Sequence, residues 1–287
     1  MSVQNLELGH FKIHGLRDGF FHLDGGAMFG VVPKTLWQRL YAPDKDNRIR
    51  LGLNSLLIET GKELVLIETG IGDHLPAKHA AYYKPERKPG LVGSLGLLGF
   101  RPEEIDYVFN THLHFDHCGG NTTINDKGEI VPTFPNARYI IQKGEYETAL
   151  NPGYRDKPSY MESCFKPLEA NGVLELVEGD TCILEGCEVI LAPGHTACHQ
   201  VVKISSNEQI LCYLGDLVPT TAHTGMSYIM SYDMYPADTL TAKEKIFTLG
   251  INGNWMFAFN HDPDHYFARI IRDDRGKYFS RPVSKQA

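Results

Sequence analysis

Positive charge is in short supply: 28 Lys and Arg stand against 35 Asp and Glu, a formal net charge of −7. Such a surface repels phosphate backbones, so a general nucleic-acid binder is disfavoured. No run of about 18 apolar residues occurs, which leaves nothing to span a membrane as a helix. The opening Met1-Ser2-Val3-Gln4-Asn5-Leu6-Glu7 has neither a basic start nor an apolar stretch of export-signal length, and the expectation is a soluble, cytoplasmic protein. Cys118, Cys164, Cys182, Cys187, Cys198 and Cys212 form no C-x-x-C pair, so they are expected as thiols, mostly small buried apolar groups. Neither a G-x-x-x-x-G-K-[ST] phosphate loop nor a G-x-S-x-G elbow is present. Phosphate-loop NTPase and serine-hydrolase chemistry lose support.

What remains is an ordinary globular composition. The 287 residues are 42% hydrophobic and 22% charged, with 28 Gly and 16 Pro, enough for a core with many loops. At about 150 residues per domain the length allows one large unit or two small ones. The reading is a single domain, 1–287, with a core of about 53–262 on which 1–52 and 263–287 pack. Strand-length apolar runs fall at 55–59, 63–68, 105–110, 139–142, 188–192, 200–204, 209–214 and 255–259. Helical spacing appears in Pro33 to Tyr41, in Leu91, Leu95 and Leu98 before Gly99, and in Leu240, Ile246, Phe247 and Gly250. Two clusters of strands with helices between them predict a layered α/β architecture. The polar stretch from Leu75 to Gly90 reads as an exposed, solvated flap.

The most informative segment is Asn110-Thr111-His112-Leu113-His114-Phe115-Asp116-His117-Cys118-Gly119-Gly120. It puts three histidines and an aspartate on one tight turn at the end of a strand, a density of polar groups that is costly to bury without a partner. Further candidate ligands follow other strands: His195 after 188–192, Asp216 after 209–214 and His261 after 255–259. Strand ends in layered α/β proteins converge on a common edge, where five histidines and two aspartates can hold two cations.

In that order, His112-x-His114-x-Asp116-His117, His195, Asp216 and His261 resemble the metallo-β-lactamase superfamily, over about Leu53 to Asp262. The resemblance implies a four-layer αβ/βα sandwich with two mixed β-sheets and a dinuclear site, zinc above all, with iron, manganese or cobalt as other occupants. It implies that His112, His114 and His195 hold one metal, that Asp116, His117 and His261 hold the other, and that Asp216 bridges them. Tyr228 to Pro236 and Phe259 to Pro263 look most like the branch of acyl-homoserine lactonases and methyl parathion hydrolase-type enzymes. Two departures stand out. Glu68 occupies a position where the superfamily commonly has aspartate, and is expected, like His199, to support a ligand from behind. Pro219 replaces the lactonase tyrosine three residues after the bridging aspartate. His223, Tyr228 or Tyr232 is then expected to polarise the substrate oxygen.

The size of the effect favours metals over a lone base. Lowering the pKa of water from about 15.7 to about 7 on zinc corresponds to roughly 12 kcal/mol, against roughly 3 to 5 kcal/mol for a side-chain base. The expected chemistry is hydrolysis by a hydroxide held between two divalent ions and oriented by Asp116. Met28 and Phe29, in the glycine-rich Asp24 to Pro33, are candidate apolar walls, so a small ester, lactone or phosphotriester suits the site. The expected partner is a small molecule, with no nucleic acid and no membrane; a homodimer is compatible. The rival readings are a mononuclear iron oxidoreductase of the persulfide dioxygenase kind, a glyoxalase II-like thioesterase, and a non-catalytic scaffold that keeps metal for stability.

Overall fold

The computed structural model describes residues 4–283; the extreme ends of the 1–287 unit lie outside the described residues. In chain order the strands are β1 (Gln4–Leu8), β2 (Phe11–Asp24), β3 (Arg48–Glu59), β4 (Leu64–Ile67), β5 (Tyr107–Phe109), β6 (Thr122–Ile124), β7 (Ile130–Pro132), β8 (Arg138–Gln142) and β9 (Leu174–Val177). The second half adds β10 (Thr181–Leu184), β11 (Cys187–Leu191), β12 (Gln200–Ser206), β13 (Gln209–Tyr213), β14 (Met256–Ala258), β15 (Phe267–Arg272) and β16 (Tyr278–Pro282). One mixed sheet runs β1-β2-β3-β4-β5-β8-β9 and the other runs β10 to β16 in sequence order, while β6 and β7 form a separate ribbon.

Period-two alternation assigns each face. Leu56, Ile58, Val65 and Ile67 of the first sheet meet Val189, Val202, Ile204 and Leu211 of the second, in an inner core between the sheets. Leu57, Leu66 and Val108 point the other way, onto helices α4 (Gly90–Leu97), α6 (Lys143–Leu150) and α7 (Lys166–Ala170). Val201, Cys212 and Phe257 face helix α8 (Pro236–Asn252) through Ala242, Ile246 and Phe247. At about 1.5–3 kcal/mol per fully buried large aliphatic or aromatic side chain, these three cores hold four layers together. The architecture is the αβ/βα sandwich the sequence predicts. β1 and β2 come from the first 52 residues and β15 and β16 from beyond residue 262, so both flanks are built into the sheets.

Three local expectations need correction. Pro33 to Tyr41 yields only a short helix, α2 (Lys34–Trp37), whose Leu36 is exposed while Trp37 is buried, because Trp37 stacks on Phe29 of α1 (Gly25–Phe29). Gly250 does not stop α8: the helix runs on to Asn252, and a Cβ at Gly250 would lie 2.1 Å from the Phe257 ring, so the glycine lets helix and sheet approach. The polar stretch 75–90 is not merely a solvated flap. It contains α3 (Ala77–Tyr83), and Arg87 pairs with the fully buried Asp18, which also accepts from the Ile71 and Leu91 amides. Among the described residues no helix is long and apolar enough to cross a membrane.

The direction of the strands positions the site. β11 and β13 are both antiparallel to β12, and β13 is parallel to β14, so all three end on the same rim. β4, β5 and β8 are mutually parallel in the facing sheet, and β5 ends at the same place. Loops leaving those ends carry residues 110–118, 192–196, 214–217 and 259–262.

Candidate metal centre

Each loop delivers ligands for a local reason. The segment after β5 turns into the single-turn helix α5 (Phe115–Cys118), which places His114 at its N-terminal boundary and Asp116 and His117 within it. Gly215 has φ +53, and a Cβ there would sit 2.6 Å from His199 Nε2, so only glycine lets the backbone turn Asp216 inward. The seven candidates converge: His112, His114 and His195 form one ligand group, Asp116, His117 and His261 another, and Asp216 joins His112 and His117 in a third, all within 4.8 Å of one another in each group.

The separations match those of ligands on shared cations. With Zn–N and Zn–O near 2.0–2.1 Å, neighbouring ligand atoms of a tetrahedron lie about 3.3 Å apart. His195 Nε2 is 3.0 Å from His114 Nδ1 and 3.2 Å from Asp216 Oδ2. On the other side, Asp216 Oδ1 is 3.4 Å from His117 Nε2 and 3.3 Å from His261 Nε2, and His261 Nε2 is 3.4 Å from Asp116 Oδ2. The two oxygens of Asp216 therefore face different ligand groups. His112 Nε2 is buried without any hydrogen-bond partner among the described residues, an orphan that a cation at this place satisfies.

The ring nitrogens away from the centre are spoken for. His195 Nδ1 donates to Asp233 Oδ1 at 2.9 Å and His261 Nδ1 to the Gly52 carbonyl at 2.8 Å, which leaves each Nε2 with a lone pair. Burial and then His117 push the His112 imidazole well below its usual range, and burial and then His195 do the same to His114. Burial opposes charge on Asp216, yet His117, His261 and His195 hold it well below the ordinary carboxylate range. Against the same burial, Asp216 and Asp116 raise His117. Ionised carboxylates beside the neutral His112 and His114 suit a divalent cation, which would take the place of the proton that those carboxylates favour on His117.

A model of the metallo-beta-lactamase superfamily matches residues 49–252. The chain belongs to that superfamily. A curated relative, the N-acyl homoserine lactonase of Bacillus cereus, is 29% identical over 178 residues, 58% of this chain and 64% of the relative. The chain thus spans just under two thirds of the length of that relative. The crystal structure of a probable metal-dependent hydrolase from Staphylococcus aureus is 30% identical and has a TM-score of 0.88, covering 97% of this chain and 100% of its own. The dizinc quorum-quenching lactonase AidC has a TM-score of 0.82 at 22% identity, covering 100% and 99%, a likeness of fold.

In this superfamily member the remaining sequence-predicted residues divide. Glu68 Oε1 accepts from the Thr111 amide at 2.7 Å with its own backbone at φ 62, a left-handed conformation that costs of order 1 kcal/mol outside glycine. His199 Nε2 accepts from the Asp216 amide at 3.1 Å, and burial, then His195, pushes its pKa down to about 3. Glu68 thus holds the backbone next to His112, and His199 that of Asp216. A cavity of about 190 Å³ opens onto His114, Asp116, His195, Asp216 and His261, with Met28, Tyr83, Phe115, Met230 and Tyr232 among its walls. Tyr232 and Met28 are in place; His223, Tyr228 and Phe29 are not. Phe29 is core, stacked between Trp37 and His223 at 5.5 and 4.5 Å. His223 donates from Nε2 to the Met28 carbonyl at 2.8 Å and takes the Thr220 hydroxyl at 2.7 Å, so neither nitrogen is left for substrate. Tyr228 meets Phe29 edge-on at 6.1 Å, outside the cavity lining.

Two supports escaped the sequence reading. Buried Glu145 accepts from the Leu113 amide at 3.0 Å, the Thr196 hydroxyl at 2.6 Å and the Tyr160 hydroxyl at 3.0 Å, which ties the His112–His114 turn to the His195 loop. Burial raises its pKa despite those donors. Its only signal was an acid on the buried face of α6, four residues before Ala149. Asp233 receives His195 on one oxygen and the Thr239 hydroxyl on the other, at 2.9 Å each.

Proposed function

We propose that this protein is a dinuclear metal-dependent hydrolase that opens small, largely apolar lactones or related esters. The observation that carries the reading is the split of Asp216, whose Oδ2 faces His195 while Oδ1 faces His117 and His261. A one-metal enzyme leaves the group Asp116, His117 and His261 without a task. Two zinc ions, when bound, supply Lewis acidity toward the attacked carbonyl and a water acidic near neutrality.

The chain's own residues do the rest. Asp116 lines the cavity, and its carboxylate accepts a hydrogen bond from the attacking water and so fixes its direction. The tyrosine that Pro219 lacks is supplied by Tyr232, which lines the cavity and whose phenol, protonated near neutrality, can donate to a substrate oxygen. Leu23, Met28, Phe115, Met230 and Met234 take an apolar tail, and the flexible thioethers suit variable acyl groups. The names of the Bacillus relative and of AidC support a lactone as first substrate. The test pairs metal analysis with proton release from a lactone series. Two zinc ions per chain with lactone turnover, and loss of both in His114→Ala, is the expected result; full turnover at one iron per chain with oxygen uptake sinks it.

A further inference from the structure

The net negative charge of the chain is unevenly placed. Four segments meet at the mouth of the cavity, 27–41, 73–88, 152–160 and 225–235, and Met28, Tyr83, Arg155 and Tyr232, one from each, line it. They are tied together there: the Ser231 amide donates to the Ala27 carbonyl at 2.8 Å, and the Arg155 guanidinium to the Ser231 carbonyl. These segments hold eight Lys and Arg against four acids, whereas the rest of the chain holds 20 against 31. The four acids are themselves occupied: Asp156 and Asp233 are buried, Glu86 pairs with Arg50 and Asp73 with Arg87. Lys34, Lys78, Lys84, Arg155 and Lys157 are exposed and form no ion pair among the described residues. The same segments also expose apolar groups. Val31 is 89% exposed and Tyr82 58%, and Tyr154 stands wholly in solvent. Such residues need no explanation singly, but here they are interleaved with unpaired cations around a cavity walled by Met28, Phe115 and Met230.

We propose that this face is an interaction surface for an anionic phospholipid bilayer, on which the protein sits with its cavity mouth toward the lipid. Tyrosine suits the headgroup layer because its ring meets hydrocarbon while its hydroxyl stays wet, and lysine reaches a lipid phosphate while its stem covers apolar surface. Range decides against repulsion by the acids elsewhere: the Debye length is about 8 Å at physiological ionic strength, so the bilayer feels the mouth and little of the far end. A second copy of the chain is a poorer occupant, since a two-fold contact on this face sets unpaired cations against their own kind. The contact is peripheral and needs no spanning helix. It departs from the expectation, drawn from the chain-wide charge, of no membrane partner, and it does not depend on which ester is cleaved. An apolar ester dissolved in the lipid then reaches the cavity without crossing water.

Flotation of the zinc-loaded chain with vesicles tests this, using phosphatidylcholine alone and phosphatidylcholine mixed with phosphatidylserine. The mixed vesicles should bind at least about tenfold more tightly, and raising salt from about 0.05 to about 0.5 M should abolish the difference. At about fivefold per cation, Lys78→Ala with Lys157→Ala should cost about twentyfold in partition, and Glu at both positions more again. Lys62 and Lys277 are exposed on the turns before β4 and after β15, at the end of the sheets away from the rim. Lys62→Ala with Lys277→Ala makes the same charge change and should cost less than about threefold. Tyr154→Ser should weaken binding to the mixed vesicles about threefold. Equal binding to the two kinds of vesicle, or an equal loss in the two double variants, overturns the proposal. Binding of soluble polyglutamate as tightly as the mixed vesicles, untouched by Tyr154→Ser, gives the face to an acidic protein and overturns it too. So does a dimer of the free chain that Tyr154→Ser dissociates, which gives the face to a second copy.

Discussion

Removing Asp233 should weaken one metal position and spare the other. Its Oδ1 accepts the Nδ1 proton of His195 at 2.9 Å, and its Oδ2 is itself fixed by the Thr239 hydroxyl at 2.9 Å. Burial opposes a protonated His195, while Asp216 and Asp233 together raise its pKa, so Asp233 makes the imidazole more basic as well as holding its plane. Losing such a partner typically costs 10–100-fold in metal affinity, about 1.4–2.7 kcal/mol. Asp233→Ala should sit at the upper end. Asp233→Asn should sit at the lower, because the amide can turn its oxygen to His195 and its nitrogen to the Thr239 hydroxyl while the charge is gone. Chelator competition should therefore show one zinc ion with wild-type affinity, at the position of Asp116, His117 and His261, and one with weakened affinity, at the position of His112, His114 and His195. Saturating zinc should then protect the Ala variant against heat by roughly 3–5 °C less than it protects the wild type. Wild-type affinity at both positions refutes the orienting role. Equal weakening at both shows that Asp233 acts on the fold at large.

Three further outcomes follow from other buried groups. Burial pushes the His223 pKa down to about 4, whereas the unfolded chain titrates near 6.5, so between those values the unfolded state binds the extra proton. Stability is full above about pH 6.5 and falls as pH drops; at pH 5 the loss is about 2 kcal/mol, and His223→Gln should lack that part of the slope in urea titrations of the metal-free protein. Lys243 is fully buried and donates to the His223, Gly225 and Tyr228 carbonyls at 2.9, 2.9 and 3.0 Å. Lys243→Met should cost about 3 kcal/mol in urea unfolding by stranding those acceptors, and a cost below about 1 kcal/mol contradicts the account. Asp216→Ala should lower bound zinc from two per chain to one or none by elemental analysis, and a variant that retains two denies the bridge.

The candidate ligands were legible in the sequence because metal chemistry restricts residue types: few patterns other than a cation site put His112, His114, Asp116 and His117 on one turn. Strand ends were legible from apolar runs, and the period-two alternation that buries Leu56 and Ile58 against the second sheet is visible in the chain itself. The supporting shell was not. Glu145, Asp233 and Asn260 are ordinary residue types whose roles depend on who faces them, and Asn260 Nδ2 meets Asp216 Oδ1 at 3.0 Å only once both loops are folded. Met28 and Phe29 carry the same apolar signal, and only the turn of α1, capped by Asp24 on the Ala27 amide at 2.8 Å, decides which one reaches the cavity. His223 misled for the same reason: an imidazole near a site attracts a chemical role until its partners are known.

The distribution of ligands between the two halves of the chain has a mechanical consequence. His112 and His114 come from the loop after β5 in the first sheet, and their partner His195 comes from the loop after β11 in the second; Asp116 and His117 are likewise completed by His261 after β14. Neither candidate position can be filled from one sheet alone. Direct bonds cross between the halves on both sides of this rim: Glu145 to Thr196 and Gln200 Nε2 to the Asn110 carbonyl at 2.8 Å on one, and the Gly52 and Asn54 amides to the His261 and Asn260 carbonyls at 2.9 and 2.8 Å on the other. Ions held there would add clamps across the sandwich, at the rim of a seam that the inner apolar core closes elsewhere. Ligand binding to the folded state alone stabilises it by RT ln(1 + [L]/Kd), about 4 kcal/mol at a thousandfold excess over Kd. That energy would fall on the rim where the cavity lined by Asp116 and Tyr232 opens, so metal removal should loosen the cavity and the seam between the halves together.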